Sequence, residues 1–165
     1  ISKQNIREGL EKTTWPGRLE LIKLKEFDLL FDGAHNPQGT KTLADFLVSW
    51  LKERNYSQKT LIFSVMKDKE LPKMASLLFP LFDSVILLNQ KDTRAIDFRQ
   101  MDGKILNLAK QYFIVESVDE ALKLAKIQAV KESLVVASGS LHLVGSIKQH
   151  LKNNQKPYQE KSYGL

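Results

Sequence analysis

The amino-acid sequence predicts a three-layer α/β domain of the Rossmann-like type, with a mostly parallel sheet of about six strands and helices on both faces. Short apolar runs alternate with longer segments of helical periodicity along almost all of the 165 residues, an order typical of right-handed crossovers between parallel strands. Residues 19–24 mostly alternate apolar and charged side chains, which predicts a half-buried, antiparallel edge strand. The chain length suits a single domain.

Six segments have the composition of strands. Short apolar runs that end at polar or glycine-containing turns are typical of strands buried in a parallel sheet. The predicted strands are residues 19–24, 27–31, 60–65, 85–88, 113–115 and 134–137.

The helices are predicted from their periodicity and from their first residues. Asn36 is suited to cap a helix and Pro37 to occupy its first position. The stripe that follows, which places Trp50 in the core, consists of Leu43, Phe46, Leu47, Trp50 and Leu51. Ser117 with Glu120 three residues later is a capping-box pattern. The other helices are predicted over residues 71–78, 105–112 and 141–151, and after residue 117.

Composition limits the classes of function. The chain has a formal net charge of +6 and no cysteine, so it has no thiolate metal site and is expected to be cytoplasmic. Lysines are interspersed with acids, which favours an anionic small ligand over a nucleic-acid partner. No apolar run approaches the roughly 20 residues that span a bilayer, so no membrane partner is expected.

Three polar corners, meaning the turns that follow predicted strands, occupy residues 32–36, 67–70 and 138–140. Ligands of open α/β sheets bind at the carboxyl ends of the strands, where these corners lie. In the first corner, Asp32 is suited to accept hydrogen bonds from a ribose diol, and His35 to donate to a phosphate or to move a proton. The helix that starts there attracts anions. The alternative is a capped helix with an exposed imidazole, and local pattern does not decide between the two.

Arg18 and the third corner are further candidates for anion binding. Arg18 follows a Pro-Gly turn, where a guanidinium can hold a phosphate. The alternative is a surface arginine that pairs with Glu20 or another acid. Ser138 and Ser140 precede a helix and can hold a phosphate or carboxylate, although serines also serve as plain caps. No motif for a protein-only metal site is present, so none is expected.

Four segments together resemble the C-terminal domain of folylpolyglutamate synthase and of the bifunctional dihydrofolate synthase. They are residues 15–20 (Trp-Pro-Gly-Arg-Leu-Glu), 32–37 (Asp-Gly-Ala-His-Asn-Pro), 66–70 (Met-Lys-Asp-Lys-Glu) and 138–145 (Ser-Gly-Ser-Leu-His-Leu-Val-Gly). The resemblance spans roughly residues 5 to 150. His142 stands where the family has tyrosine, and Glu70 where it has aspartate.

The resemblance implies the Mur ligase C-terminal fold and an ATP-dependent ligase. In this family ATP phosphorylates a folate carboxylate, and the amine of glutamate attacks the acyl phosphate to give an amide. The family's nucleotide contacts fall on Arg18 and Asp32, with His35 and Asn36 beside the nucleotide or the amino acid. The weaker candidates, on the glutamate side, are Lys67, Asp68, Ser138 and Ser140.

The resemblance also implies that the chain works with a partner domain. An N-terminal ATPase domain carries the phosphate loop, the Mg²⁺ ligands and the pterin site in this family, so the present chain is expected to be inactive alone. Residues 1–14 are then a linker or entry helix, residues 15–152 the domain, and residues 153–165 a flexible tail. Two alternatives remain: a non-catalytic nucleotide- or nucleic-acid-binding module, and a ligase of cell-wall precursors.

Overall fold

A six-stranded sheet forms the centre of the protein. The computed structural model describes Ser2, Gln4, Asn5 and residues 15–154. Its strands are β1 Glu20–Lys23, β2 Asp28–Asp32, β3 Gln58–Phe63, β4 Ser84–Leu88, β5 Tyr112–Val115 and β6 Ser133–Ser138. They lie in the order β1-β2-β6-β3-β4-β5. The β1–β2 pair is antiparallel and the other pairs are parallel, so the predicted fold class and the antiparallel edge strand are confirmed.

The described part has five α-helices, of which four connect successive strands and the fifth follows β6. They are α1 Pro37–Trp50, α2 Leu71–Leu78, α3 Gly103–Leu106, α4 Val118–Gln128 and α5 Leu141–Asn154. None of these helices combines the length and the apolar character needed to cross a bilayer.

The sheet has one hydrophobic core on each face. Alternate residues of a strand point to opposite faces, so Leu30 of β2 belongs to one cluster and Phe31 to the other. The first cluster includes Leu43 and Leu47 from α1, and the second includes Ile147 from α5. The protein is therefore a three-layer domain.

Local capping chemistry sets where the helices begin. The Asn36 side chain accepts a hydrogen bond from the Gly39 N–H at 2.8 Å, and Pro37 is the first helical residue. Ser117 accepts from the Glu120 N–H at 3.2 Å, while the Glu120 carboxylate accepts from the Glu116 N–H, one residue before the cap. Both predicted helix starts are confirmed.

One predicted helix is wrong in extent. Residues 105–112 were expected to be helical, but α3 ends at Leu106 and Tyr112 begins β5. Leu108 is 36% exposed, so the apolar stripe does not continue through it. The chain turns here because β5 must align with β4, and the Val85 N–H donates to the Gln111 carbonyl at 2.9 Å.

The domain boundaries at both ends stay predictions. The segment 1–14 lies almost entirely outside the described residues, as does the tail from residue 155. Helix α5 runs to Asn154, three residues past the predicted helix end at residue 151, so the first two residues of the expected tail are helical.

Candidate functional site

The three polar corners lie at the same edge of the sheet. Strand β6 is the parallel neighbour of both β2 and β3, and Ser138 is in register with Asp32 on one side and Phe63 on the other. Backbone hydrogen bonds join the corners, because the Gly139 N–H donates to the Ala34 carbonyl at 3.0 Å. The turns after β2 and β6 therefore form one continuous surface, and the end of β3 adjoins it through the Ser64 N–H, which donates to the Ser138 carbonyl at 3.4 Å.

The turn that carries Arg18 is docked on the corner after β2. The Arg18 N–H donates to the Trp15 carbonyl at 3.0 Å, and the Gly33 N–H donates to the Gly17 carbonyl at 2.8 Å. The Leu19 N–H donates to Asp32 Oδ2 at 3.1 Å. Two segments that are separate in sequence thus place Arg18 next to the end of β2.

The guanidinium of Arg18 is exposed. Within residues 15–154 no ion pair joins it to an acid. The expected alternative, a pair with Glu20, is wrong, because Glu20 instead pairs with Lys148 at 2.7 Å. Arg18 is therefore available to an anion that approaches this edge.

The carboxylate of Asp32 is buried, with 8% of the residue exposed. Burial raises its pKa, against the lowering effects of hydrogen bonds from the Ala34 and Leu19 N–H groups and of the Arg18 cation. Oδ1 accepts from Ala34 at 2.8 Å and Oδ2 from Leu19 at 3.1 Å. Each carboxylate oxygen has a further lone pair, so Asp32 can accept from a hydroxyl while it holds the backbone.

His35 and Asn36 are each partly used by the local backbone. His35 Nδ1 lies 2.8 Å from the Gly33 carbonyl oxygen. A carbonyl only accepts, so Nδ1 carries a proton, and in the corresponding neutral tautomer Nε2 is an acceptor. The cap uses Asn36 Oδ1 and leaves the Nδ2 donors for a ligand.

Ser138 and Ser140 differ in their environment. Ser138 is fully buried, and its Oγ has no hydrogen-bond partner among the described residues. Ser140 Oγ accepts from the His142 N–H at 3.1 Å, at the start of α5. Ser138 is thus an unsatisfied hydroxyl beside Asp32 in the sheet, whereas Ser140 acts as a cap.

The second corner, residues 67–70, makes its side-chain contacts away from Asp32. Lys67 Nζ donates to the Thr93 carbonyl at 2.7 Å, and Asp68 pairs with Lys69 at 2.7 Å. Both Lys67 and Asp68 are exposed. No hydrogen bond in the described part of the chain joins either side chain to Asp32 or His35. Lys67 and Asp68 therefore lie at the same end of the sheet but have no direct bond to the corner after β2.

Sequence reasoning missed a fourth corner. A cleft of about 320 Å³ lies after β4, lined in part by Gln90, Asp92, Glu116 and His142. Asn89 also lines it and fixes the surrounding loops, because its Nδ2 donates to Glu116 Oε1 at 3.0 Å and its Oδ1 accepts from the Phe98 N–H at 2.9 Å. The sequence clue was Asn89, an asparagine directly after the predicted strand 85–88.

The chemistry of this edge fits a nucleotide better than a metal alone. Arg18 and the first turn of α1 suit phosphate oxygens, and Asp32 suits hydroxyl groups. Among the residues that the structure describes, no group of three His, Cys, Asp or Glu side chains is arranged to hold a metal ion.

Comparison with known proteins identifies the family to which this chain belongs. The family model described as Mur ligase, glutamate ligase domain, matches residues 17–141, so the chain belongs to this family. It is 28% identical over 162 residues to the dihydrofolate synthase/folylpolyglutamate synthase of Bacillus subtilis. It is 32% identical over 151 residues to the folylpolyglutamate synthase of Lacticaseibacillus casei. The resemblance found in the sequence is confirmed.

The chain spans about a third of the length of these relatives, covering 34% and 33% of them, while 92% of the chain itself is matched in each case. Two solved structures superpose on nearly the whole chain. Escherichia coli FolC in complex with ADP, without folate substrate, superposes with a TM-score of 0.79 at 20% identity, over 93% of this chain and 35% of that one. Mycobacterium tuberculosis folylpolyglutamate synthase complexed with ADP and AMPPCP gives 0.73 at 23% identity, over 96% and 36%. At these identities the match concerns the fold.

Proposed function

We propose that this domain forms one wall of the ATP and glutamate sites of a ligase that adds glutamate to folate, in tetrahydrofolate polyglutamylation, dihydrofolate synthesis or both. One observation carries the proposal: the turn with the exposed Arg18 is hydrogen-bonded to Asp32, the last residue of β2, four residues before the Asn36 cap of α1. A cation, a carboxylate and a helix N-terminus on one corner suit a nucleotide. The names of the relatives supply the substrate class.

Each residue of the corner has a distinct role in this proposal. Arg18 neutralises charge on the phosphates, a common form of assistance to phosphoryl transfer. Asp32 accepts from the ribose hydroxyls. His35 presents Nε2 to the amine of the incoming glutamate and accepts its proton. Asn36 binds beside the nucleotide through Nδ2.

The remaining parts of the reaction are assigned to other groups. ATP, when bound, supplies the phosphoryl group that activates the folate carboxylate for attack by the glutamate amine. Lys67, Asp68 and Ser140 are assigned to the glutamate side; Ser138, which is fully buried, acts there only through its position at the end of β6. An N-terminal ATPase domain supplies the phosphate loop and most contacts to Mg²⁺, so this domain is inactive alone.

The experiment replaces Arg18→Ala in the whole ligase and measures ATP-dependent formation of folyl-glutamate. We expect kcat to fall on the order of a thousandfold, as for other cations that assist phosphoryl transfer, with the circular dichroism spectrum unchanged. Lys52→Ala is the matched control, because it removes one exposed positive charge beyond the far end of α1. Wild-type kinetics in Arg18→Ala would overturn the proposal.

A second measurement tests the division of labour between domains. We expect the 165-residue chain alone to form no folyl-glutamate from ATP. Turnover by the isolated chain would contradict this. Salt-dependent binding of DNA or RNA that is insensitive to Asp32→Ala would favour the non-catalytic module instead.

A further inference from the structure

Glu20 and Lys148 form a largely buried ion pair behind the Arg18 turn. Lys148 Nζ, from α5, donates to Glu20 Oε1 at 2.7 Å and to Oε2 at 3.0 Å. Their side chains are 10% and 23% exposed. The ammonium also lies 6.0 Å from the centroid of the Phe31 ring in β2. The pair is thus enclosed between the edge of the sheet and α5.

The same carboxylate holds the backbone of the turn. Glu20 Oε2 accepts from the Gly17 N–H at 2.6 Å, a short bond of the kind that a charged acceptor makes. On the other side of Arg18, Asp32 accepts from the Leu19 N–H. Arg18 therefore lies between two backbone N–H groups, each fixed by a carboxylate.

The turn needs this support because its backbone is strained. Leu19 has a φ of +44°, in the left-handed region that β-carbon contacts disfavour for any residue other than glycine. Such a conformation persists where the surroundings over-determine it, and it is typical of binding and catalytic segments. The contacts from Glu20 and Asp32 supply that determination on either side of Arg18.

Lys148 has a second effect on Arg18. A carboxylate two residues away is the natural partner for a guanidinium, but Lys148 already neutralises Glu20. Arg18 consequently forms no ion pair within residues 15–154 and stays available. Removal of the ammonium would leave a buried, uncompensated carboxylate, and Arg18 is the nearest cation in sequence that can approach it.

From these contacts we infer that Glu20 and Lys148 are positioning residues of the ligase site: they hold the strained turn and keep Arg18 free for the phosphates of ATP. This inference rests on the proposed function of Arg18. Neither residue touches the nucleotide in this assignment; both act through the turn.

The test uses the whole ligase and measures kcat and KM for ATP. A small misplacement of a catalytic group costs up to about a hundredfold in rate. We expect Lys148→Met to lower kcat/KM by about a hundredfold, because the turn loosens and Glu20 captures Arg18. Glu20→Gln loosens the turn without capture and should cost about tenfold. Lys148→Arg, which retains the charge, should recover most activity.

Two double variants separate positioning from a general loss of stability. Glu20→Gln with Lys148→Met should be more active than Lys148→Met alone, since no carboxylate remains to capture Arg18. In an Arg18→Ala background, Lys148→Met should cause no further loss of kcat. Lys126→Met is the control, because it breaks the ion pair with Glu26, which lies in the turn between β1 and β2, and should leave kinetics unchanged.

The outcomes distinguish two failures. If Arg18→Ala has wild-type kinetics, the proposed function fails. The proposed function stands and the positioning role is overturned in two cases, both with Arg18→Ala impaired. In the first, Lys148→Met is as active as wild type. In the second, Lys148→Met lowers kcat as much in the Arg18→Ala background as it does alone.

Discussion

The carboxylate of Asp32 and the backbone N–H of Leu19 are joined by a 3.1 Å hydrogen bond across a sequence separation of 13 residues. This bond ties the turn that carries Arg18 to the corner that begins α1. A residue assigned to ligand binding is therefore also part of the frame that presents the neighbouring cation.

Asp32→Asn should uncouple this frame. Asparagine has one acceptor oxygen where aspartate has two, so its amide NH₂ must face either the Leu19 or the Ala34 N–H. We expect the free energy of unfolding to fall by about 1 kcal/mol, because the cost of the lost hydrogen bond is partly offset by removal of a buried charge, whose burial raises the pKa of Asp32. Urea unfolding of the chain measures it. An unchanged midpoint would show that the two backbone hydrogen bonds of the Asp32 carboxylate add no net stability.

Gly139→Ala should be severely destabilising. Gly139 has a φ of +104°, and a β-carbon there would lie 2.4 Å from the Ser64 carbonyl oxygen, which belongs to the backbone and cannot move aside. We expect a loss of about 3 kcal/mol. Gly103→Ala is the matched control, because nothing lies within 4 Å of its added β-carbon and alanine favours the helix by up to about 1 kcal/mol. Thermal unfolding of both variants decides the comparison.

Substitutions of Asn36 separate its two assigned roles. Asn36→Ala removes the cap of α1 and should cost about 1 kcal/mol of stability. Asn36→Ser restores a capping oxygen without an amide, so stability should return while ATP affinity of the whole ligase stays reduced. Recovery of affinity in Asn36→Ser would reduce Asn36 to a cap.

Asp83 gives a stability difference that depends on pH. Burial acts to raise its pKa, but Lys110 and the backbone N–H and ammonium of Lys59 outweigh it and hold the pKa below its usual value. A lowered folded-state pKa stabilises the fold above the ordinary pKa near 4. That contribution disappears as pH falls through the folded-state value. We therefore expect Asp83→Asn to be about 1 kcal/mol less stable than wild type at pH 7.

The same comparison at low pH completes this test. Once the carboxyl is protonated below its folded-state pKa, wild type and Asp83→Asn should unfold at similar urea concentrations. A constant difference between pH 7 and pH 3 would contradict the linkage.

Local sequence chemistry predicted the features of the fold that depend on near neighbours. Three of them depend only on residues close together in sequence: the alternation in residues 19–24, the Asn36 cap and the core position of Trp50. The prediction of a helix over 105–112 is wrong because Leu108 and Tyr112 fit a helical stripe by spacing alone. In the structure the helix ends at Leu106, and Tyr112 begins the strand that pairs with β4.

Features of the site that depend on contacts between residues far apart in the chain could not be predicted from the sequence. Glu20 and Lys148 are 128 residues apart, so the sequence left Glu20 as a partner for Arg18, its neighbour. The cleft after β4 likewise depends on α4 and α5 meeting the end of that strand. The motifs located Arg18 and Asp32, but not the groups that hold them.

The position of β1 at the rim of the sheet has a kinetic consequence. This four-residue strand has a neighbour on one side only, so it belongs to the segments that open locally at low free energy while the central strands stay intact. Amides of β1 should exchange with solvent sooner than those of β3. Under the proposed function, each such opening would withdraw the Arg18 guanidinium from the phosphates and interrupt activity while the rest of the domain stays folded.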